Sequence, residues 1–189
     1  MNELKEKELC RCRWCNSKNP IYIEYHDHEW CVPEYRDELL LELLILESFQ
    51  AGLSWECVLN KREYFREAFD GFALEKVCVY DESKVAELLQ NKNIIRNRLK
   101  VNAAINNARI FRKIQEEYGS FVKYIWGFTD GMVIYEVDKT SSELSDRVSA
   151  DLKKRGMKFV GTTIIYSYLQ AIGVLYSHDK ECFLFREHG

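Results

Sequence analysis

"LELLILESFQAGLSW", residues 41–55, decides how this chain is read. Leu41, Leu43, Leu44, Ile45 and Leu46 leave almost no polar face, so residues 37–51 are predicted to form a helix buried nearly all round. Glu42 lies one turn after Glu38, which predicts a shared solvated face for those two. Glu47 has Leu43 and Leu44 one turn before it and Ala51 one turn after. It is an isolated carboxylate in apolar company, and such a group is costly unless something pairs with it or it stays neutral. Gly52 ends the helix, and Ser54 is placed to cap the next, predicted over 55–69.

The rest of the chain agrees with a helical reading. It has 189 residues, 47% hydrophobic and 30% charged, which suits one domain (1–189) with its own core and excludes disordered and collagen-like classes. Its two prolines are Pro20 and Pro33, and beyond them nothing of that kind interrupts a helix. Helices are predicted at about 73–80, 82–91, 101–111, 120–128, 143–155 and 162–176. Residues 10–33 read as irregular, Asp130-Gly131 as a plain turn without a catalytic role, and "MVIYEV" (132–137) as a short strand. The expected class is all-α. No stretch approaches a membrane span. The start, "MNELKEKELC", is charged and has no apolar signal core, so a cytoplasmic location without membrane contact is expected.

Three constellations can carry chemistry. The first is cysteine and histidine. Seven cysteines in a chain of this kind favour metal binding or free thiols over a disulfide scaffold. Cys10, Cys12 and Cys15 crowd together, with His26 shortly after. His178 and Cys182 are four apart, so one helical face is predicted to offer both. Two sulfurs and two imidazoles make a closed tetrahedral zinc set that would clip residues 10–33 to residues 176–185. His28 and His188 stand outside it.

The second is aromatic. Trp14, Tyr22, Tyr25, Trp30 and Trp55 surround the segment that holds Glu47 in sequence. Any one of them is ordinary core, but flat faces beside a stranded carboxylate suit a flat cationic guest. The third is basic. Net charge is −3, yet Asn91 to Lys113 holds Lys92, Arg96, Arg98, Lys100, Arg109, Arg112 and Lys113 and no acid. The hairpin predicted over 84–109 leaves backbone amides at a helix start, beside Arg96, Arg98 and Lys100, to hold a phosphate.

Taken together, "RCRW", "YIEYHDHEW", "LESFQAGLSW", "KRE", "IIRNRLKVNAAINNA" and "KKRGMKFVGTTIIYSYLQAIG" resemble the DNA-3-methyladenine glycosylase I family of the helix–hairpin–helix glycosylase superfamily. The resemblance runs from about Cys12 to Cys182. It implies a mostly helical fold, one structural zinc on Cys12, His26, His178 and Cys182, and hydrolytic release of 3-methyladenine from double-stranded alkylated DNA by a monomer. It places the base pocket on Tyr25, Glu47 and Trp55, the catalytic set, with Trp14 and Tyr22 as walls. Leu53 is expected as the wedge in the duplex, and Asn93, Arg96, Arg98 and Lys100 as contacts to DNA. Cys31, Ser48 and Asn93 stand where the family commonly has glycine. A zinc-stabilised DNA-binding module without catalysis would share the hairpin but leave Glu47 without a task, and a cysteine-based redox or metal sensor would explain neither.

Overall fold

The computed structural model describes residues 9–187. The expectations for the first eight residues and for His188 lie outside that range.

Pro20 opens a helix in the stretch expected to be irregular, α1 (Pro20–His28), with the Asn19 side chain accepting from the Ile21 amide. Proline suits a first helical turn, where its missing N–H is no loss. The apolar run forms α2 (Asp37–Gln50), and every residue from Leu40 to Phe49 is buried. The helix predicted over 55–69 is two, α3 (Trp55–Leu59), capped by Ser54, and α4 (Arg62–Ala68), broken at Asn60 and Lys61. A 3₁₀ turn at Asp70–Phe72 leads to α5 (Leu74–Val77) and to α6 (Glu82–Gln90), capped by Asp81. The long amphipathic α7 (Arg98–Tyr118) starts at Asn97 and ends at Gly119, whose φ of +84° provides the left-handed stop that glycine adopts without strain. Then come α8 (Phe121–Gly127), β1 (Ile134–Tyr135), α9 (Glu143–Lys154), α10 (Thr162–Ala171) and β2 (Leu175–Tyr176). The two short strands pair in parallel, Ile134 with Leu175 and Tyr135 with Tyr176.

α2 lies at the centre, packed against α3, α7, α8 and α10. Its first residue also organises a neighbour. The Asp37 carboxylate accepts from the Phe121 and Val122 amides at 2.9 and 2.8 Å, capping α8 from a distance in sequence.

Two expectations fail near the C-terminal end. The helix predicted over 162–176 stops at Ala171, because Gly173 (φ +71°) is pressed against the Val32–Pro33 backbone, where an added Cβ would sit 2.3 Å from the Pro33 nitrogen. His178 and Cys182 share a turn, not a helical face, with the Cys182 amide on the Asp179 carbonyl at 2.9 Å.

Glu42 is the larger correction. It is 4% exposed, not solvated. Its carboxylate takes the Arg62 guanidinium and, at 2.8 Å, that of Arg66, while Arg62 reaches Glu29 at 2.7 Å. The arginines arrive from α4, so the pairing is invisible along α2 itself. Breaking a buried ion pair from one side leaves the other charge unpaired. Glu42→Gln is therefore expected to lower the unfolding free energy by about 3 kcal/mol, read from urea titrations of variant and parent; an unchanged midpoint would remove this network from the stabilising core.

Candidate functional site: an aromatic pocket, a Cys/His cluster and a basic hairpin

A cavity of about 410 Å³ opens between α1, the last turn of α2 and the start of α3. Trp14, Tyr22, Tyr25, Trp30 and Trp55 line it, with Glu47 and Gln50. Ser167, Gln170 and Ser177 complete the wall, and Arg13, Asp138 and Asp179 stand on its rim. The expected pocket residues are thus brought together. α1 supplies Tyr22 and Tyr25 three residues apart, hence on one face. Trp14 holds its edge-on contacts to Tyr22 at 5.1 Å and Trp30 at 4.8 Å, and Tyr25 leans on Trp55 at 5.4 Å.

Glu47 is 2% exposed, and one of its carboxylate oxygens has no hydrogen-bond partner. Burial lifts its pKa well above the ordinary 4.5, and no other influence counters it. No cation among the described residues draws it back. Burial, and then the charge of Glu47, also pushes the Tyr25 phenol up. Buried polar atoms almost always find partners, so unpaired ones ask for an explanation. Here five of them belong to residues lining the same cavity: the Glu47 oxygen, Gln50 Oε1, the Ser177 hydroxyl, and the indole nitrogens of Trp14 and Trp55. Two can accept, two donate, and the hydroxyl can do either. Gln50 is a pocket residue that the sequence reading misses, although its place three residues after Glu47 puts it on the same face. Ser48, by contrast, satisfies itself by donating to the Leu44 carbonyl at 2.8 Å.

Next to the pocket lies a second cluster. Ligand atoms of Cys12, His26, His178 and Cys182 all lie within 4.8 Å of one another, and all four residues are buried. Such a group can hold a metal ion. Cys12 Sγ is 3.5 Å from His178 Nδ1, and Cys182 Sγ is 3.6 Å from both His26 Nε2 and His178 Nδ1. The outer contacts suit ligation too. His26 Nδ1 meets Asp27 at 2.7 Å, and Arg11 grips the same carboxylate with a bond of 2.6 Å. A proton on Nδ1 leaves Nε2 unprotonated, the usual arrangement behind a metal-bound histidine, and here Nε2 accepts from the Cys12 amide at 3.2 Å. Backbone amides of Asp179 and Leu184 approach the sulfurs of Cys12 and Cys182 at 3.3 and 3.5 Å. Burial lowers the His178 pKa to about 4, which keeps the ring neutral, as a ligand must be. Cys10 is exposed and Cys15 half-buried, and both are outside the cluster.

The hairpin forms from α6, a turn at 91–97 and α7. Asparagine side chains hold the turn: Asn91 accepts from the Asn93 amide at 2.9 Å and Asn97 from the Lys100 amide at 3.2 Å. Asn93 does not need the positive φ that glycine supplies, whereas Cys31 does adopt it, at +64°. Arg96 and Arg98 are exposed, the latter beside Glu82. Lys100 departs from expectation. It is 7% exposed, and its amine donates to the carbonyls of Phe49 at 2.8 Å and Ala51 at 2.6 Å, so it is turned inward rather than toward a phosphate. Leu53 is 42% exposed at the loop after α2, beyond Gly52 with φ +77°.

Comparison with known proteins fits this geometry. Residues 14–186 match the family described as methyladenine glycosylase. The chain is 44% identical to DNA-3-methyladenine glycosylase 1 of Escherichia coli (strain K12), over 91% of this chain and 95% of that one. A crystal structure of 3-methyladenine DNA glycosylase I superposes with a TM-score of 0.90 at 43% identity, covering 94% of this chain and all of the other. A variant of such a glycosylase, crystallised with 3-methyladenine, superposes with a TM-score of 0.87 at 36% identity, covering 92% of this chain and 96% of that one. With the fold, the extent of the match and the degree of identity all in agreement, this chain belongs to the methyladenine glycosylase family.

Proposed function

We propose that this chain is a monomeric, cytoplasmic DNA-3-methyladenine glycosylase acting on double-stranded alkylated DNA as a single domain. The observation that carries the reading is Glu47, buried among aromatic rings with an unpaired oxygen and no protein cation paired to it. Its counter-charge is then the guest's. A base in a duplex is out of reach, so the nucleotide is flipped into the pocket at a cost of roughly a few kcal/mol. Methylation at N3 makes adenine cationic and a good leaving group. Trp14, Tyr22, Tyr25 and Trp55 enclose the flat ring, and Glu47 accepts its hydrogen bonds and matches its charge. The bond between sugar and base then breaks, its electron pair neutralising the base. Water adds to the sugar carbon and gives up a proton to solvent, and 3-methyladenine leaves. Neutral adenine offers a desolvated carboxylate a poorer match. Arg96 and Arg98, with the amides at the start of α7, hold phosphates, and Leu53 fills the gap. A DNA-binding module without catalysis would leave the unpaired atoms of the pocket unused.

The Cys/His cluster suits structural zinc. Zinc–sulfur and zinc–nitrogen bonds of about 2.3 and 2.1 Å at a tetrahedral angle set sulfur and nitrogen about 3.6 Å apart, close to the 3.5 and 3.6 Å found. Four protein ligands leave no open position, so the ion would lock the chain ends together and take no part in the reaction. About one zinc per chain is expected by metal analysis. Cys12→Ser with Cys182→Ser should lose the metal and melt earlier; full zinc occupancy in that double variant would overturn the assignment.

Neutralising Arg96 and Arg98 should weaken binding to lesion-bearing and ordinary DNA alike, because phosphate contacts carry no sequence information. The slope of log affinity against log salt should become shallower by about 0.9 for each phosphate no longer neutralised. A salt titration of the double variant decides this, and an unaltered slope would move the DNA surface elsewhere.

Glu47→Gln keeps the shape and loses the charge. Free 3-methyladenine should bind, and single-turnover excision proceed, about tenfold to a hundredfold less well, with ordinary DNA bound as before. Stability moves the other way. The folded chain keeps the Glu47 proton to a higher pH than the unfolded chain. Its contribution is therefore fully present at low pH and is lost as pH rises through the raised value. Glu47→Gln does not titrate, so its advantage in unfolding free energy should grow as pH climbs from about 4.5. Parent-like excision, or an advantage that shrinks with pH, would remove Glu47 from this role.

A further inference from the structure

The amine of Lys100 sits at a junction. It belongs to the first turn of α7, the start of the hairpin's second helix, yet it ends on the last carbonyls of α2 and of the loop behind it, Phe49 and Ala51. That loop, 51–54, is bounded by pocket residues on both sides, Glu47 and Gln50 before it and Trp55 after it, and its exposed tip is Leu53. A second lysine makes the return tie. Lys61, between α3 and α4, donates to the Asn93 carbonyl in the hairpin turn at 2.9 Å. Two amines thus clasp the hairpin to the segment that carries both the pocket and Leu53.

We propose that Lys100, with Lys61 as a second tie, is a positioning residue. It fixes the loop 51–54 against the phosphate-holding hairpin, so that DNA gripped at α7 meets Leu53 and the pocket mouth in the register that extrudes a base. This rests on the glycosylase reading above. The physical basis is direct. Helix C-termini present carbonyls without partners, and a cation there is favourable. Lys100 is also the cation of the hairpin stripe that faces inward, so its charge is used within the protein. Gly52, with a positive φ, lets the Leu53 amide close the turn on the Gln50 carbonyl at 2.6 Å. The external tie sets where that turn sits against the hairpin.

Five readouts separate positioning from phosphate binding and from general stability. Lys100→Met keeps most of the length and removes the donor and the charge. Its salt slope for DNA binding should equal the parent's, since every phosphate ligand remains, and free 3-methyladenine should bind within about twofold of the parent, since the pocket walls remain. Base extrusion, followed by 2-aminopurine fluorescence beside the lesion, and single-turnover excision should both fall, excision about tenfold to a hundredfold. Amide hydrogen exchange at residues 51–54 should speed up. A slope shallower by about 0.9 would make Lys100 a phosphate ligand and overturn the proposal, as would parent-like extrusion and excision. If Lys100→Met does not fold, Lys61→Met at the more exposed tie is read in the same way: reduced extrusion at an unchanged slope supports the clasp, and normal extrusion or a shallower slope overturns it. If the parent itself releases no 3-methyladenine, the glycosylase reading fails, and exchange at 51–54 in variant and parent still decides whether the tie holds the loop.

Discussion

A helix with no polar face must be covered on every side, and α2 imposes that constraint on the whole molecule. The helices α3, α7, α8 and α10 are arranged around it. Polar groups at its edges then serve as anchors for what surrounds it. Asp37 at its start caps α8, the Leu40 carbonyl takes the Tyr168 hydroxyl at 3.1 Å, and the carbonyls at its end take Lys100. The pocket inherits its position in the same way, since Glu47 and Gln50 occupy the final turn of a helix buried at every residue from Leu40 to Phe49. Sites on such elements hold their geometry better than sites on loops.

The same helix carries two buried carboxylates five residues apart, and they are treated in opposite ways. Glu42 is enclosed by Arg62 and Arg66, with Glu29 continuing the network. Glu29 and Glu42 keep the Arg62 guanidinium charged although burial works against it. Glu47 receives no such company. One acid strengthens the packing of α4 on α2, whereas the other weakens the fold and is retained in an aromatic cavity. A group that costs stability where it sits, on an element otherwise built for stability, is the mark of a site that serves a ligand.

What can be read along the chain and what cannot divides on physical lines. The α2 run, the α7 stripe and the cap at Ser54 are legible because each is a local pattern, set by residues within a turn or two. The Cys/His set is legible as chemistry but not as geometry: four residues of spacing suggest a helix, and Gly173 pressed on Pro33 forbids one nearby, leaving a turn that serves equally well. α1 escapes notice because "PIYIEYHDH" lacks a clean apolar period, although Asn19-Pro20 is a fair start signal. Glu42 and Lys100 mislead for one reason. Each is a charged side chain whose partners lie far along the chain, 20 and 24 residues away for the arginines and about 50 for the two carbonyls. Periodicity reports which face a residue is on, never what meets that face.

If the pocket takes the base as proposed, charge is not the whole of its selection. Glu47 and Gln50 present acceptors to the cavity, while Trp14 and Trp55 present indole N–H donors. Rings supply a flat enclosure that any purine would fit, so shape alone does not select. On that reading selection falls to the five unpaired polar atoms and to the sign of the charge at Glu47. These groups are desolvated before a guest arrives and are held by packed helices, so a base that fits need not reorganise them. A neutral base would leave the carboxylate either protonated or uncompensated, whereas a cationic one repays both its charge and its hydrogen bonds. On the proposed reading, the energetic penalty of burying Glu47 in the empty pocket is the source of discrimination once the pocket fills.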